Sequence, residues 1–242
     1  MCDAPFLAIL YFFLYNDFIK KHKKEGRKMK KSSITMFAVG SGFLTAFVLW
    51  TVLVRTVDVS AIGPQGTEVG FSALNGFIHG ITGVNTLLYT ITDWLGLVPI
   101  AVCLGFAALG LVQLIKRRSL LLVDRSILLL GAFYAVVIVT YVFFEFAVIN
   151  YRPVLIEGRL EASYPSSTTM LVMCVMPTAI MQLSARIKSV TLKRCITLLI
   201  ILFILFMVIA RVLSGVHWFS DIIGGLLLST GLISVYCGLS TL

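Results

Sequence analysis

Histidine occurs three times in this chain, and Asp and Glu together 11 times against 20 Lys and Arg. These shortages exclude several classes of protein. His22, His79 and His217 lie in unrelated stretches, so no pair of them has the spacing of a metal site. The five cysteines show neither metal nor redox spacing. Cys103, Cys174, Cys195 and Cys237 fall in or beside apolar runs, where a thiol acts as a small apolar side chain and disulfides are not expected. There is no internal repeat, no low-complexity tract beyond one basic run, and no pair of broken apolar segments of the transporter kind. Neither a metal nor an organic cofactor is implied.

What the chain has in abundance is apolar side chains, 59% of the total, with a mean hydropathy of +1.00. That composition is of an integral membrane protein. Crossing the hydrocarbon takes about 20 apolar residues, and six such segments are predicted, at 33–54, 92–115, 127–150, 165–184, 195–213 and 217–239. Backbone groups must be satisfied inside lipid, so the expected fold is an all-α six-helix membrane bundle. Residues 1–32 form a separate hydrophobic and basic segment, and 33–242 the membrane domain. The stretch 5–18 is short for a span, which leaves a partial span, an interfacial helix or an upstream start before Met29. Its basic residues follow the apolar run, unlike those of a signal peptide. The connection 55–91 is expected to be a surface loop, with an interfacial helix as the alternative. His79 and Asp93 within or beside it are given no chemistry.

The net charge of +9 is not a nucleic-acid footprint, because the basic residues are clustered between spans. Lys20 to Lys31, then Lys116, Arg117, Arg118 and Arg125, then Arg186, Lys188, Lys193 and Arg194 all fall on one side of the membrane. The positive-inside rule makes that side cytoplasmic. The opposite loops, holding Asp58, Glu68, Glu157 and Glu161, then face outward across a multi-pass cytoplasmic membrane protein. The bilayer is its expected surrounding; its oligomeric state is not legible.

Three polar clusters are predicted to meet on the outward face. Asn150-Tyr151-Arg152-Pro153 ends the third span, since Pro153 stops the helix. Tyr164-Pro165-Ser166-Ser167-Thr168-Thr169 opens the fourth, with Pro165 read as its first helical residue and free N–H groups as an anion site. Arg211 to Asp221 joins the fifth span to the sixth, and Gly215 allows the turn. Ionisable groups between two membrane segments read as functional by default. His217 and Asp221, four apart, would share one face of a helix, with the carboxylate orienting the imidazole. Two arginines, a helix N-terminus and a backed histidine suit a phosphoryl group.

Arg-Pro, Pro-Ser-Ser and Arg-x5-His-x3-Asp together resemble the type 2 phosphatidic acid phosphatase superfamily of lipid phosphate phosphatases. The resemblance covers spans three to six and implies a six-helix membrane bundle. It also implies His217 as nucleophile through a phosphohistidine, Asp221 as its orienting partner, and Arg152, Ser166, Ser167, Thr168 and Arg211 around the phosphate of a membrane lipid. Two positions depart from the family pattern. Glu145 stands where a lysine is usual, and Thr168 where the histidine that protonates the leaving oxygen is usual. General acid help is commonly worth ~10²–10⁴ in rate, and a threonine cannot supply it. A diphosphate expels a phosphate and needs that proton least, so a polyprenyl diphosphate is expected over phosphatidic acid. Glu145 is either a neutral acid that replaces the missing donor or an ion-pair partner of Arg152 or Arg211. The function expected is lipid phosphate or diphosphate hydrolysis at the outer face. The alternatives are an impaired relative that binds lipid phosphates, and a lipid phosphotransferase.

Overall fold

The computed structural model describes residues 26–242, with side chains from residue 32. The apolar stretch 5–18 lies outside the described residues, as do the side chains of the N-terminal basic run. The described chain is all-α, with helices α1 (Gly26–Thr56), α2 (Ser72–Thr82), α3 (Thr86–Leu95), α4 (Leu97–Arg117), α5 (Arg125–Phe146), α6 (Ser167–Arg186), α7 (Val190–Leu213) and α8 (Phe219–Ser240). Six stretches are long and apolar enough to cross a membrane, α3 and α4 counting together as one of 32 residues. Large apolar side chains stay exposed along them, among them Leu49, Leu104, Val139 and Phe146. That is the surface lipid would cover.

The predicted spans match these helices, with three instructive offsets. The second begins at Thr86 rather than 92, because its hydroxyls do not interrupt the helix: Thr90 donates to the Thr86 carbonyl and Thr92 to that of Leu88, each at 2.9 Å. The third ends at Phe146 rather than 150, where the chain peels away and carries Asn150 toward α8. The sixth begins at Phe219 rather than 217, leaving His217 in the turn before it.

The expectation of a plain surface loop over 55–91 is corrected by α2. Its polar side chains Ser72 and Asn75 face inward and are buried, whereas Leu74, Phe77 and Ile81 point out. The first turn is capped from 14 residues upstream, where Asp58 accepts from the Ser72 hydroxyl at 2.9 Å and, 15 residues from it, from the Ala73 amide at 2.7 Å.

α6 and α8 are the central pair, each with 67% of its span buried, and the other helices surround them. Their approach is close at Gly224, where an added Cβ would meet the Tyr164 ring at 2.6 Å, and at Gly225, where it would meet the Ser166 carbonyl at 3.1 Å. α1 lies along α8, with the Ser33 hydroxyl donating to the Gly238 carbonyl at 2.7 Å. Apolar packing among Phe47, Phe133, Tyr134, Met170, Cys174 and Tyr236 fills the centre. Cys174 and Cys237 are buried there as free thiols. The helix directions put the starts of α6 and α8 and the end of α7 at one end of the bundle. The basic links α4–α5 and α6–α7 lie at the other.

Candidate active site

Residues 147–166 leave α5 as a narrow two-armed loop. Arg152 N–H donates to the Glu161 carbonyl at 3.0 Å and Ser163 N–H to that of Asn150 at 2.9 Å. The loop is tied to the start of α8 by side chains: Trp218 Nε1 donates to the Tyr151 carbonyl at 2.8 Å, and Asn150 Nδ2 to Asp221 Oδ1 at 3.1 Å. The start of α6 is tied there too, through Ser166 N–H to the Asp221 carbonyl at 3.0 Å. The three polar clusters of the sequence therefore meet at Trp218–Asp221.

His217 is 4% exposed in that turn. Arg152 Nη1 lies 3.3 Å from its Nε2. A guanidinium can only donate, so Nε2 offers its lone pair and the ring proton sits on Nδ1. Nδ1 faces Asp221 Oδ2 at 3.9 Å, close enough for electrostatic support and longer than a hydrogen bond. The carboxylate is held instead by the Trp218 amide at 2.9 Å and by Asn150. The pair shares a helix start rather than a helix face, a correction to the expected spacing argument. Burial, reinforced by the Arg152 and Arg211 charges, holds the His217 pKa well below the ordinary histidine value. The imidazole is therefore neutral near pH 7, as a nucleophile must be.

Arg211 is 1% exposed at the end of α7. It donates to Thr92 Oγ1 at 3.2 Å and lies 5.3 Å from the Tyr89 ring centre, while its Nε has no partner among the described residues. Gly215, at φ +66°, turns the chain between Arg211 and His217. The start of α6 differs from expectation: Pro165 precedes the helix after a cis bond, and Ser166 is the N-cap. Ser166 Oγ accepts from the Thr169 hydroxyl at 3.0 Å and from its amide at 3.5 Å, and the residue is fully buried. Ser167 and Thr168 thus present the first-turn amides and hydroxyls to the space beyond.

That space is a cavity of about 950 Å³. Asp93, Arg152, Arg211, Ser167 and Thr168 line its polar part, and Ile100, Leu104, Val137, Ile138 and Leu171 its apolar walls. The model of the PAP2 superfamily matches residues 132–240, from α5 through α8. The match spans the three polar clusters and so agrees with the resemblance that their motifs carry. A solved structure similar to this chain is the first transmembrane PAP2 type phosphatidylglycerolphosphate phosphatase from Bacillus subtilis, 18% identical, covering 98% of this chain and 95% of that chain with a TM-score of 0.42. At that distance the likeness says nothing of substrate. No curated protein matches the sequence.

Glu145 is exposed on the cavity wall beside Tyr141. It does not form the ion pair with Arg152 or Arg211 that one reading of the sequence expected. Glu161 occupies Arg152 instead, at 3.0 Å from Nε. Thr168 lines the cavity directly. Among the described residues no group of three or more His, Cys, Asp or Glu side chains could hold a metal ion. Sequence reasoning placed Asn150 in a site cluster without a role of its own, gave Asp93 no chemistry, and missed Trp218, Thr92 and Tyr89 as parts of the site. Trp218 lay inside a motif that could have signalled it; Thr92 and Tyr89 gave no signal, since their partner Arg211 is more than a hundred residues away.

Proposed function

We propose that this chain is a member of the PAP2 superfamily that hydrolyses a lipid phosphate or diphosphate with His217 as nucleophile. The observation that carries it is a neutral, buried His217 held against Arg152, which together with Arg211 lines a cavity that has one polar and one apolar side. The phosphoryl oxygens would take Arg152, Arg211 and the Ser167 and Thr168 donors at the positive end of α6. Nε2 attacks phosphorus, and an N–P bond forms as the bond to the bridging oxygen breaks. Water then attacks the phosphohistidine, releasing inorganic phosphate and the free imidazole. Asp221 stabilises the charge that develops on the ring during both steps, a contact expected to shorten when substrate binds.

A diphosphate is the favoured substrate, because Thr168 holds no titrating proton and a departing phosphate needs none. Glu145, unpaired with either arginine and on the cavity wall, is the candidate donor for poorer leaving groups. With the basic links on the cytoplasmic side, the site opens to the outside of a plasma membrane. Phosphate release in detergent from a polyprenyl diphosphate and from phosphatidic acid tests the proposal. Release is expected from the diphosphate first, lost in His217→Ala and reduced on phosphatidic acid in Glu145→Gln. Lipid binding without release from either would make the chain a binder rather than a hydrolase.

A further inference from the structure

Asn75 stands apart from the groups that would touch phosphate, and it is 1% exposed on the inward face of α2. Its amide is fully engaged. Nδ2 donates to the Gly70 carbonyl at 2.8 Å and to Ser220 Oγ at 2.9 Å, and Oδ1 accepts from Ser220 N–H at 3.1 Å. Ser220 is the second residue of α8, and first-turn N–H groups have no carbonyl partner within their own helix. The N-cap is Trp218, whose indole can donate but not accept. The acceptor that a serine or aspartate cap would supply therefore arrives from a helix 145 residues away in sequence. On the other side Trp50 Nε1 donates to the Ser220 carbonyl at 3.0 Å. Ser220 is thus gripped at its amide, hydroxyl and carbonyl, one residue from Asp221 and three from His217. The same face of α2 brings His79 to 5.5 Å from the Trp218 ring.

We propose that Asn75 is a positioning residue for the His217–Asp221 turn: by capping α8 from outside, it sets the angle at which His217 Nε2 meets the phosphoryl group. A residue that only held α2 down would need no polar atoms, and burying an amide costs free energy unless every group is paired. Here two of its three bonds go to one residue of the catalytic turn. The effect on rate rests on the hydrolytic function proposed above; the effect on the turn does not.

The test compares Asn75→Leu, similar in shape without the amide, with Asn75→Asp, which keeps an acceptor for the Ser220 amide. Two quantities are read: turnover of a polyprenyl diphosphate, and deuterium exchange of the segment 217–222 in detergent. Asn75→Leu should speed exchange in that segment while the middle of α6 stays protected. It should also lower kcat about tenfold with KM within about threefold, equivalent to ~1.4 kcal/mol at the barrier. Asn75→Asp should recover part of both. Unchanged exchange in Asn75→Leu would overturn the inference, as would kcat within twofold of the parent, or a uniform rise in exchange across the protein. If the parent released no phosphate, the hydrolytic function would fall and the exchange result alone would decide the role of Asn75.

Discussion

Protonation would take the lone pair that His217 offers, so the acid range is where its surroundings show. Burial and two neighbouring guanidinium groups depress its pKa, and a depressed pKa means the neutral ring persists further into acid than an ordinary histidine of about 6.5. Corrected for ionisation of the substrate phosphate, kcat/KM is expected to hold through pH 6.5 and fall only lower; a limb at or above 6.5 would contradict the geometry. Arg152 Nη1 is within 3.3 Å of the ring, so Arg152→Met should move that limb upward. Thr168 gives a second expectation at this scale. It lines the cavity at the start of α6, where a histidine could reach a leaving oxygen. Thr168→His should raise phosphatidic acid turnover by ~10²-fold, within the usual range for general acid help, and change diphosphate turnover much less. Equal gains on both lipids would remove the leaving-group argument.

Among the elements, the link from α7 to α8 tolerates little change. Gly215 sits at φ +66°, and a Cβ there would lie 1.8 Å from the Gly83 carbonyl. A left-handed alanine alone costs roughly 1–2 kcal/mol, and the collision would add to it by driving apart the turn and the α2–α3 link. Gly215→Ala is expected to lower the thermal midpoint in detergent and lose turnover together, measured on the same preparation. The legibility of these elements from sequence follows from where their partners lie. The six spans and the motif residues Arg152, Arg211, His217 and Asp221 were readable because hydropathy and short spacing are local properties. α2 was not, since Asp58 caps it from a distance and its apolar side faces away from the protein. An inward-facing polar stripe reverses the pattern that marks a helix of a water-soluble core. The shape of Pro165 suits a first helical residue, whereas the side-chain acceptor of Ser166 sets the boundary.

For the whole molecule, the alternating helix directions separate charge from chemistry. The links around Lys116–Arg125 and Arg186–Arg194 lie at the opposite end of the bundle from His217. The proposal that the basic end lies in the cytoplasm predicts that an impermeant maleimide applied to intact cells labels Glu157→Cys and not Lys188→Cys, both at exposed positions, in a Cys195→Ser background. Labelling of Lys188→Cys alone would invert the topology.

The contact between Arg152 and His217 also bears on what the protein does when no lipid is present. The lone pair that would attack phosphorus already has a guanidinium bound to it, at 3.3 Å in a residue 4% exposed. A phosphoryl group can draw that arginine onto its own oxygens and so uncover the nitrogen as it arrives. An uncharged electrophile offers the arginine nothing and meets a histidine already engaged. On the proposed function the resting protein would in this sense be guarded: its nucleophile would be released by the anionic reactant, and slow reaction of His217 with neutral histidine reagents is the expected result.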